Sequence, residues 1–325
     1  MFLSYTPNPC FERTLLIKNF SVGGSFRLKP EQSFIGAGGK GINSARVCAN
    51  FGQPSLILAP IGIQQISQFQ GLLNTANIST ELIETQSLTR STINIVHENL
   101  LNDSKTEIVE AGVAPALSVG TQIFEKWLEI LPKCELATIG GSYPLSDEAG
   151  WTLHSAILCQ MAAKAGKRVI YDGKGEAFKR AVDSSSPPWA IKPNLQEAAE
   201  LLDRHIETPA QERGAIRHFL NRGIEVVLLS CGKRGLYVGY NRQIEFFHAP
   251  TVQEISSVGS GDSLVGAFAA KFMETGDVFE SAKWGVAAGS ANAAKLESAT
   301  VTLDEATALL PKVRRQLAEI SLQVN

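Results

Sequence analysis

The sequence predicts an α/β fold built on a largely parallel sheet, on three observations. From Gly120 onward, segments of helical period alternate with short apolar runs, the rhythm of strands and crossover helices. Glu225-Val226-Val227-Leu228-Leu229-Ser230 is almost continuously apolar, as expected of a strand covered on both faces. Two glycine-rich turns, Gly36 to Gly41 and Ser257 to Ser263, lead directly into helix-period segments.

Taken in order, residues 1–6 read as a first strand stopped by Pro7-Asn8-Pro9. Arg13 to about Ile35 is strand-like and half apolar, with a turn at Gly23-Gly24. Ile42 to Ala49 has helical spacing and stops at Gly52; Ser55 to Ala59 is a buried strand, and Gln64 to Asn74 reads as helical. Arg90 to Glu98 and Lys105 to Glu110 predict two antiparallel strands joined by a polar turn at Asn102-Asp103. With the strands before Ile35 they form a small separate sheet, inserted from about 12–35 and 88–112, which suits a lid. Ile123 to Leu131 and Trp151 to Ala165 are helices, Leu136 to Ile139, Arg168 to Asp172 and Trp189 to Ile191 strands. Pro209 to Asn221 is a helix with Gly223 past its end, and Leu236 to Val238 with Ile244 to Phe247 a hairpin. Three helices close the chain, from Asp262, from Phe279 to Lys295, and from Leu303 to about Glu319. No repeat, low-complexity tract or long linker divides the 325 residues, so they are read as one domain.

A net charge of -2 leaves no basic footprint for nucleic acid, and no polybasic cluster for anionic lipid. No apolar run is long enough to span a bilayer, and Met1 to Pro7 lacks the pattern of a signal peptide. The five cysteines and five histidines are scattered, without metal-ligand spacing, which predicts reduced thiols and a cytoplasmic protein.

The chemistry is concentrated in the two glycine turns. In Ser257-Val258-Gly259-Ser260-Gly261-Asp262-Ser263 the first amides of a helix face outward with positive potential, a ready site for phosphate. A carboxylate in the middle of such a site either caps the helix or takes a proton from a hydroxyl that attacks phosphorus. Gly36-x-Gly38-x-x-Gly41 matches the dinucleotide fingerprint in form only, since no Asp or Glu lies between Glu31 and Glu81 to hold a ribose. Nor is it a Walker A loop, because Lys40 is followed by Gly41. It remains a glycine nest with one lysine, suited to a sugar at its backbone and a phosphate at Lys40. Arg90 is a second candidate for phosphate, through its planar fork.

With these two turns on one chain, the sequence resembles the PfkB (ribokinase-like) carbohydrate kinases, in the branch of 1-phosphofructokinase and tagatose-6-phosphate kinase. The resemblance runs nearly end to end. It rests on Pro7-Asn8-Pro9 with Arg13-Thr14, Ala37-Gly38-Gly39-Lys40-Gly41-Ile42-Asn43 with Ala45-Arg46, Thr89-Arg90 and Thr106-Glu107-Ile108. Ile191-Lys192-Pro193-Asn194-Leu195-Gln196-Glu197, Ser230-Cys231-Gly232-Lys233-Arg234-Gly235 and Val258 to Ser263 complete it. The resemblance implies a doubly wound central sheet flanked by helices, with a small β lid that supports a homodimer. It implies Asp262 as catalytic base and the amides of Gly259, Ser260 and Gly261 as anion hole. It implies Gly38, Gly39, Lys40, Asn43 and Arg90 at the phosphosugar, joined by Glu12 and Ser142. It implies Asn194, Ser230, Gly232, Gly235 and Asn292 around ATP, and Glu197 at magnesium, through water.

Four positions depart from the family pattern, all on the sugar side. Glu12 stands where Asp is usual, and Gly140 to Ser146 replaces a Ser-Gly-Ser-Leu-Pro-Pro-Gly loop. Lys174 precedes Gly175 in place of Ser, and Ile63-Gln64-Gln65 lacks a usual second glycine. The expectation is an ATP-dependent kinase of a ketohexose monophosphate: first fructose 1-phosphate to fructose 1,6-bisphosphate, next tagatose 6-phosphate or fructose 6-phosphate, or another PfkB sugar kinase. Lys40 with Arg90 argues for an already phosphorylated substrate. The rival from a different class is a non-catalytic sugar-phosphate-binding protein.

Overall fold

The computed structural model describes residues 1–73, 75–97, 105–145 and 149–320. Asn74, the turn expected at Asn102-Asp103, and Ser146 lie outside the described residues. In chain order the elements are β1 Phe2–Tyr5, β2 Cys10–Ile17, β3 Ser33–Gly38, α1 Lys40–Asn50, β4 Ser55–Gly62, α2 Ile66–Leu72, β5 Ile78–Thr85, β6 Arg90–His97 and β7 Lys105–Val109. There follow α3 Leu117–Ile130, β8 Leu136–Gly141, α4 Ala149–Lys164, β9 Arg168–Gly173, α5 Gly175–Val182, β10 Ala190–Ile191, α6 Leu195–Leu202, α7 Pro209–Asn221 and β11 Val226–Ser230. The chain continues through β12 Gly235–Tyr240, β13 Gln243–His248, α8 Ser260–Thr275, α9 Val278–Ala293, α10 Leu303–Leu309 and β14 Arg314–Ile320.

The large sheet runs β14-β13-β12-β11-β10-β9-β8-β1-β4-β5. It is parallel from β5 to β11 and antiparallel from β11 to β14. Helices cover both faces, so strand side chains divide between two cores. In β11, Val226 and Leu228 join the core under α1, α8 and α9, while Val227 and Leu229 join the core under α3 to α7. Period-2 alternation between two buried faces is what makes this strand apolar throughout. The small sheet has the order β3-β2-β6-β7, with β2 parallel to β6. Among the described residues no helix is long and apolar enough to cross a membrane.

Sequence and structure differ in a few elements. The segment from Leu303 to Glu319 is not one helix: α10 stops at Leu309, a 3-10 turn spans Leu310–Lys312, and Arg314 to Ile320 pairs antiparallel with β13. Pro311 explains the break, because its ring clashes with the carbonyl one turn back and it donates no hydrogen bond. Strand β5 and helices α5 and α6 were not anticipated, and the Arg13–Ile35 run divides into β2 and β3.

Helices α1 and α8 pack closely at Gly266, where a Cβ would lie 2.3 Å from the Ser44 carbonyl oxygen and 2.8 Å from Val47 Cβ. Only glycine permits that approach. It brings the N-terminal turns of the two helices together, at the edge where β1, β8, β9, β10 and β11 end.

Candidate active site

The N-terminal turn of α8 is held by Gly259, whose φ of 77° falls in the left-handed region. A Cβ there would also lie 2.8 Å from Ser298 Cβ. The amides of Gly259 and Gly261 find no acceptor among the described residues and remain available to an anion. The Ser260 amide is different: it donates to the Ser257 carbonyl at 3.2 Å, so it closes the turn rather than completing the expected trio. Asp262, buried in the first turn of α8, caps nothing. Its Oδ2 accepts from Asn43 Nδ2 at 2.8 Å, and its backbone carbonyl accepts from Ser44 Oγ at 3.1 Å. The Asn43 amide is oriented in turn by Arg46, whose Nη1 donates to Oδ1 at 3.1 Å.

A charge network faces this turn. Asp172, at the end of β9 and only 1% exposed, accepts from Lys40 Nζ at 2.8 Å and lies 3.3 Å from Lys192 Nζ. Its Oδ2 has no hydrogen-bond partner. The buried Lys192 reaches over the anion hole, since a Cβ on Gly261 would lie 3.2 Å from its ammonium. Lys40 also donates to Glu197 Oε1 at 3.0 Å. Glu197 and Asn194 form a reciprocal capping box at the start of α6, with bonds of 2.9 and 2.8 Å. Burial, and then the Asp172 carboxylate, push the Asp262 carboxyl up to about 7, against the opposing pull of Lys40, Asn43 and Lys192. Burial draws the Lys40 ammonium down, but Asp172, Glu197 and Asp262 outweigh it and hold Lys40 above the usual lysine range.

Lys40 begins α1, one turn before Asn43. Its ammonium is drawn between two carboxylates on the Glu197 side, and is not presented alone to a sugar phosphate. Arg90 is likewise engaged, with Nε and Nη2 donating to the Asn8 carbonyl at 3.2 and 2.9 Å and Nη1 to the Glu110 carbonyl at 3.1 Å. It clamps the small sheet onto the Pro7–Pro9 turn. Gly38 ends β3, and Gly39 is the N-cap of α1, its carbonyl accepting from the Asn43 amide at 2.9 Å. Glu12, on β2, accepts at Oε1 from Ser298 Oγ at 2.5 Å and from Asn94 Nδ2 at 3.3 Å. Ser142 follows directly after β8, and Lys174 is an exposed N-cap of α5.

On the other side, Ser230 donates through its amide to the Pro193 carbonyl at 3.0 Å, next to Asn194. Gly232 and Gly235 bound the exposed turn that follows. Asn292 does not join them. It is completely buried beneath the anion-hole turn, where Nδ2 donates to the Val258 carbonyl at 2.7 Å and to Ser260 Oγ at 3.1 Å. Its Oδ1 accepts from Ser263 Oγ at 3.2 Å and the Ala299 amide at 2.7 Å. With all these bonds made inside the protein, Asn292 is a strut for the turn and has no face toward an adenine.

The pfkB family carbohydrate kinase model matches residues 27–305. The chain belongs to this family. It is a carbohydrate kinase, a phosphotransferase with an alcohol as acceptor. The chain is 26% identical over 306 residues to a tagatose-6-phosphate kinase of Staphylococcus epidermidis, covering 94% of this chain and 96% of that one. Phosphofructokinase-2 of Escherichia coli, solved with substrates and products, is 26% identical with a TM-score of 0.83, covering 96% of this chain and 98% of that one. A possible 1-phosphofructokinase of Thermotoga maritima superposes with a TM-score of 0.89 at 20% identity, covering 98% of this kinase and 99% of that chain. That last likeness is one of fold.

Sequence reasoning assigned no role to three residues of the candidate site. Lys192 stood inside the quoted Ile191-Lys192-Pro193-Asn194 run, and Asp172 ended a predicted parallel strand, the edge where ligands bind. Arg46 stood in the quoted Ala45-Arg46 pair, one helical turn after Asn43, without a role assigned to it.

Proposed function

We propose that this kinase transfers the γ-phosphoryl group of ATP to a hydroxyl of a ketohexose monophosphate, with Asp262 as general base. The observation that carries the reading is the buried Asp262 carboxyl, held by Asn43 beside the free amides of Gly259 and Gly261 and under Lys192. Asp262 accepts the proton of the sugar hydroxyl, the oxygen attacks the γ-phosphorus in line, and the bond to the bridging oxygen breaks to release ADP. The two amides and the Lys192 ammonium face the charge that spreads over the transferring group. A carboxyl that titrates near neutrality matches the working range of a general base.

Asn194, Ser230, Gly232 and Gly235 border the ATP phosphates and nucleoside in this reading. The donors suit magnesium, which keeps several waters and takes one or two carboxylates plus phosphate oxygens. No group of three or more His, Cys, Asp or Glu side chains gathers for another metal among the described residues. Both Glu197 oxygens already accept hydrogen bonds, so Glu197 would hold magnesium through water. When bound, the ion neutralises phosphate charge.

Since Lys40 and Arg90 are engaged within the protein, the phosphate on the sugar is inferred from the relatives at 26% identity rather than from those cations. Fructose 1-phosphate, giving fructose 1,6-bisphosphate, is the first candidate, with tagatose 6-phosphate and fructose 6-phosphate beside it. A screen of sugars at fixed ATP and magnesium, read as ADP release, tests this; turnover of unphosphorylated sugars alone would overturn it. Asp262→Asn is expected to keep ATP binding and lose about 10²–10⁴-fold in kcat. Unchanged turnover would remove Asp262 from the mechanism. The small sheet acts as a lid over the sugar and pairs two copies of the chain, a reading supported by Ile35, Ile108 and Val109, each about half exposed. Sedimentation equilibrium is expected to give the mass of a dimer.

A further inference from the structure

We propose that Arg46 is a positioning residue for the phosphotransfer step, fixing which end of the Asn43 amide faces Asp262. The inference rests on the reading of Asp262 as base. Arg46 lies one turn after Asn43 on α1. Its Nη1 donates to Asn43 Oδ1 at 3.1 Å and its Nη2 to the Ala37 carbonyl at 2.5 Å. The second bond ties the fork to β3 and leaves the guanidinium little freedom to turn away.

A guanidinium has donors only, so the oxygen of the Asn43 amide must face it. The NH₂ end is then directed at Asp262 Oδ2, 2.8 Å away. An ionised Asp262 would choose that end without help. A protonated Asp262 would not, because its own O–H could donate to an amide oxygen turned toward it. Arg46 denies the acid form that partner. The Asn43 bond then favours the ionised form in every state of the site, and the base is ready at lower pH than burial alone would allow.

Other charges act on Asp262 and must be separated from this effect. Lys40 faces it from α1, Asp172 from β9 and Lys192 from the segment after β10, while the nearby Cys10 thiol on β2, pushed up to about 11, stays uncharged. Arg46 itself is a cation near Asp262, with Glu12 and Glu297 on its other sides. Loss of its charge would raise the Asp262 titration without any change in the amide. A double-mutant cycle separates the two routes, because an effect passed through Asn43 vanishes when Asn43 is absent, and a charge effect does not.

The experiment is the pH profile of kcat/KM for the wild type, Arg46→Met, Asn43→Ala and the double variant, with folding checked by thermal unfolding. In Arg46→Met the acid limb is expected to move up by about half to one pH unit, with a several-fold loss at pH 6 that closes by pH 9. In the Asn43→Ala background, Arg46→Met is expected to move the limb by clearly less, by the share that the lost charge alone carries. An unmoved limb, an even loss across the pH range, or an equal shift in both backgrounds would each overturn the proposal. Should Arg46→Met not fold, Arg46→Lys keeps the charge and loses the fork. It is expected to move the limb in the same direction by less, and an unmoved limb there overturns the proposal equally. Activity retained in Asp262→Asn would sink the base assignment itself. An inactive Asp262→Asn with an unmoved limb in Arg46→Met sinks only the inference about Arg46.

Discussion

The two ends of the active site are built differently. At the phosphotransfer end, Asp262, Asn43, Lys192 and Asp172 are all less than a tenth exposed, and the side chains lock one another in place. Two helices, pressed together at Gly266, carry two of the four, Asn43 and Asp262. At the end proposed for the sugar, Glu12, Asn94 and Ser298 come from widely separated segments, Arg90 holds the small sheet by backbone carbonyls, and the loop after β8 departs from the family pattern. The first end is a seam between rigid elements. The second is a set of contacts between a sheet and loops. A chemistry shared across a family belongs on the seam, and a choice of substrate belongs on the contacts that can be exchanged at small cost.

The largest effect that tests this contrast comes from Lys192→Met. Removal of the cation over the anion hole is expected to lower kcat by about 10²–10³-fold with little change in the KM of the sugar. A change confined to KM would move Lys192 to the binding side and blur the division. Next is Gly266→Ala, which forces α1 and α8 apart. Overpacking at this contact is expected to cost about 1–3 kcal/mol of stability by denaturant unfolding, together with a fall in kcat as Asn43 withdraws from Asp262. A stable variant with full activity would show that the seam tolerates slack. The smallest effect belongs to Ser298→Ala, which removes the shorter of the two hydrogen bonds to Glu12 Oε1 and opens that oxygen to a sugar hydroxyl. Steady-state kinetics are expected to show a sugar KM lowered by up to about tenfold, with kcat and the KM of ATP unchanged. An unchanged sugar KM would detach Glu12 from the substrate.

The same contrast governs what could be read from the sequence. The seam is written in short motifs, because residues at its turns are fixed by local geometry: Gly259 by a positive φ, and Asn194 with Glu197 by a capping box four residues long. Strand β11 was legible because burial on both faces leaves an unbroken apolar run. What escaped was the pairing of distant charges. Nothing near Lys40 in the chain announces that Asp172 and Glu197 take its ammonium, and nothing near Asn292 shows that it lies under the turn rather than beside an adenine. The end of the chain was misread for a local reason, the interruption at Pro311. Strand β5 was passed over because an edge strand faces solvent on one side and carries a mixed pattern.

Strand β14 has a consequence for the protein's life in concentrated solution. A ten-stranded open sheet has two rims, each a row of unpaired peptide groups on which another molecule could add a strand. Here one rim presents exposed Arg314 and Arg315 and the other carries Glu84 in its exposed face, so that a neighbour's strand must first shed the hydration of a charge. The last strand thus extends the sheet and, with its charges, discourages any further growth of it into fibrous or tangled assemblies.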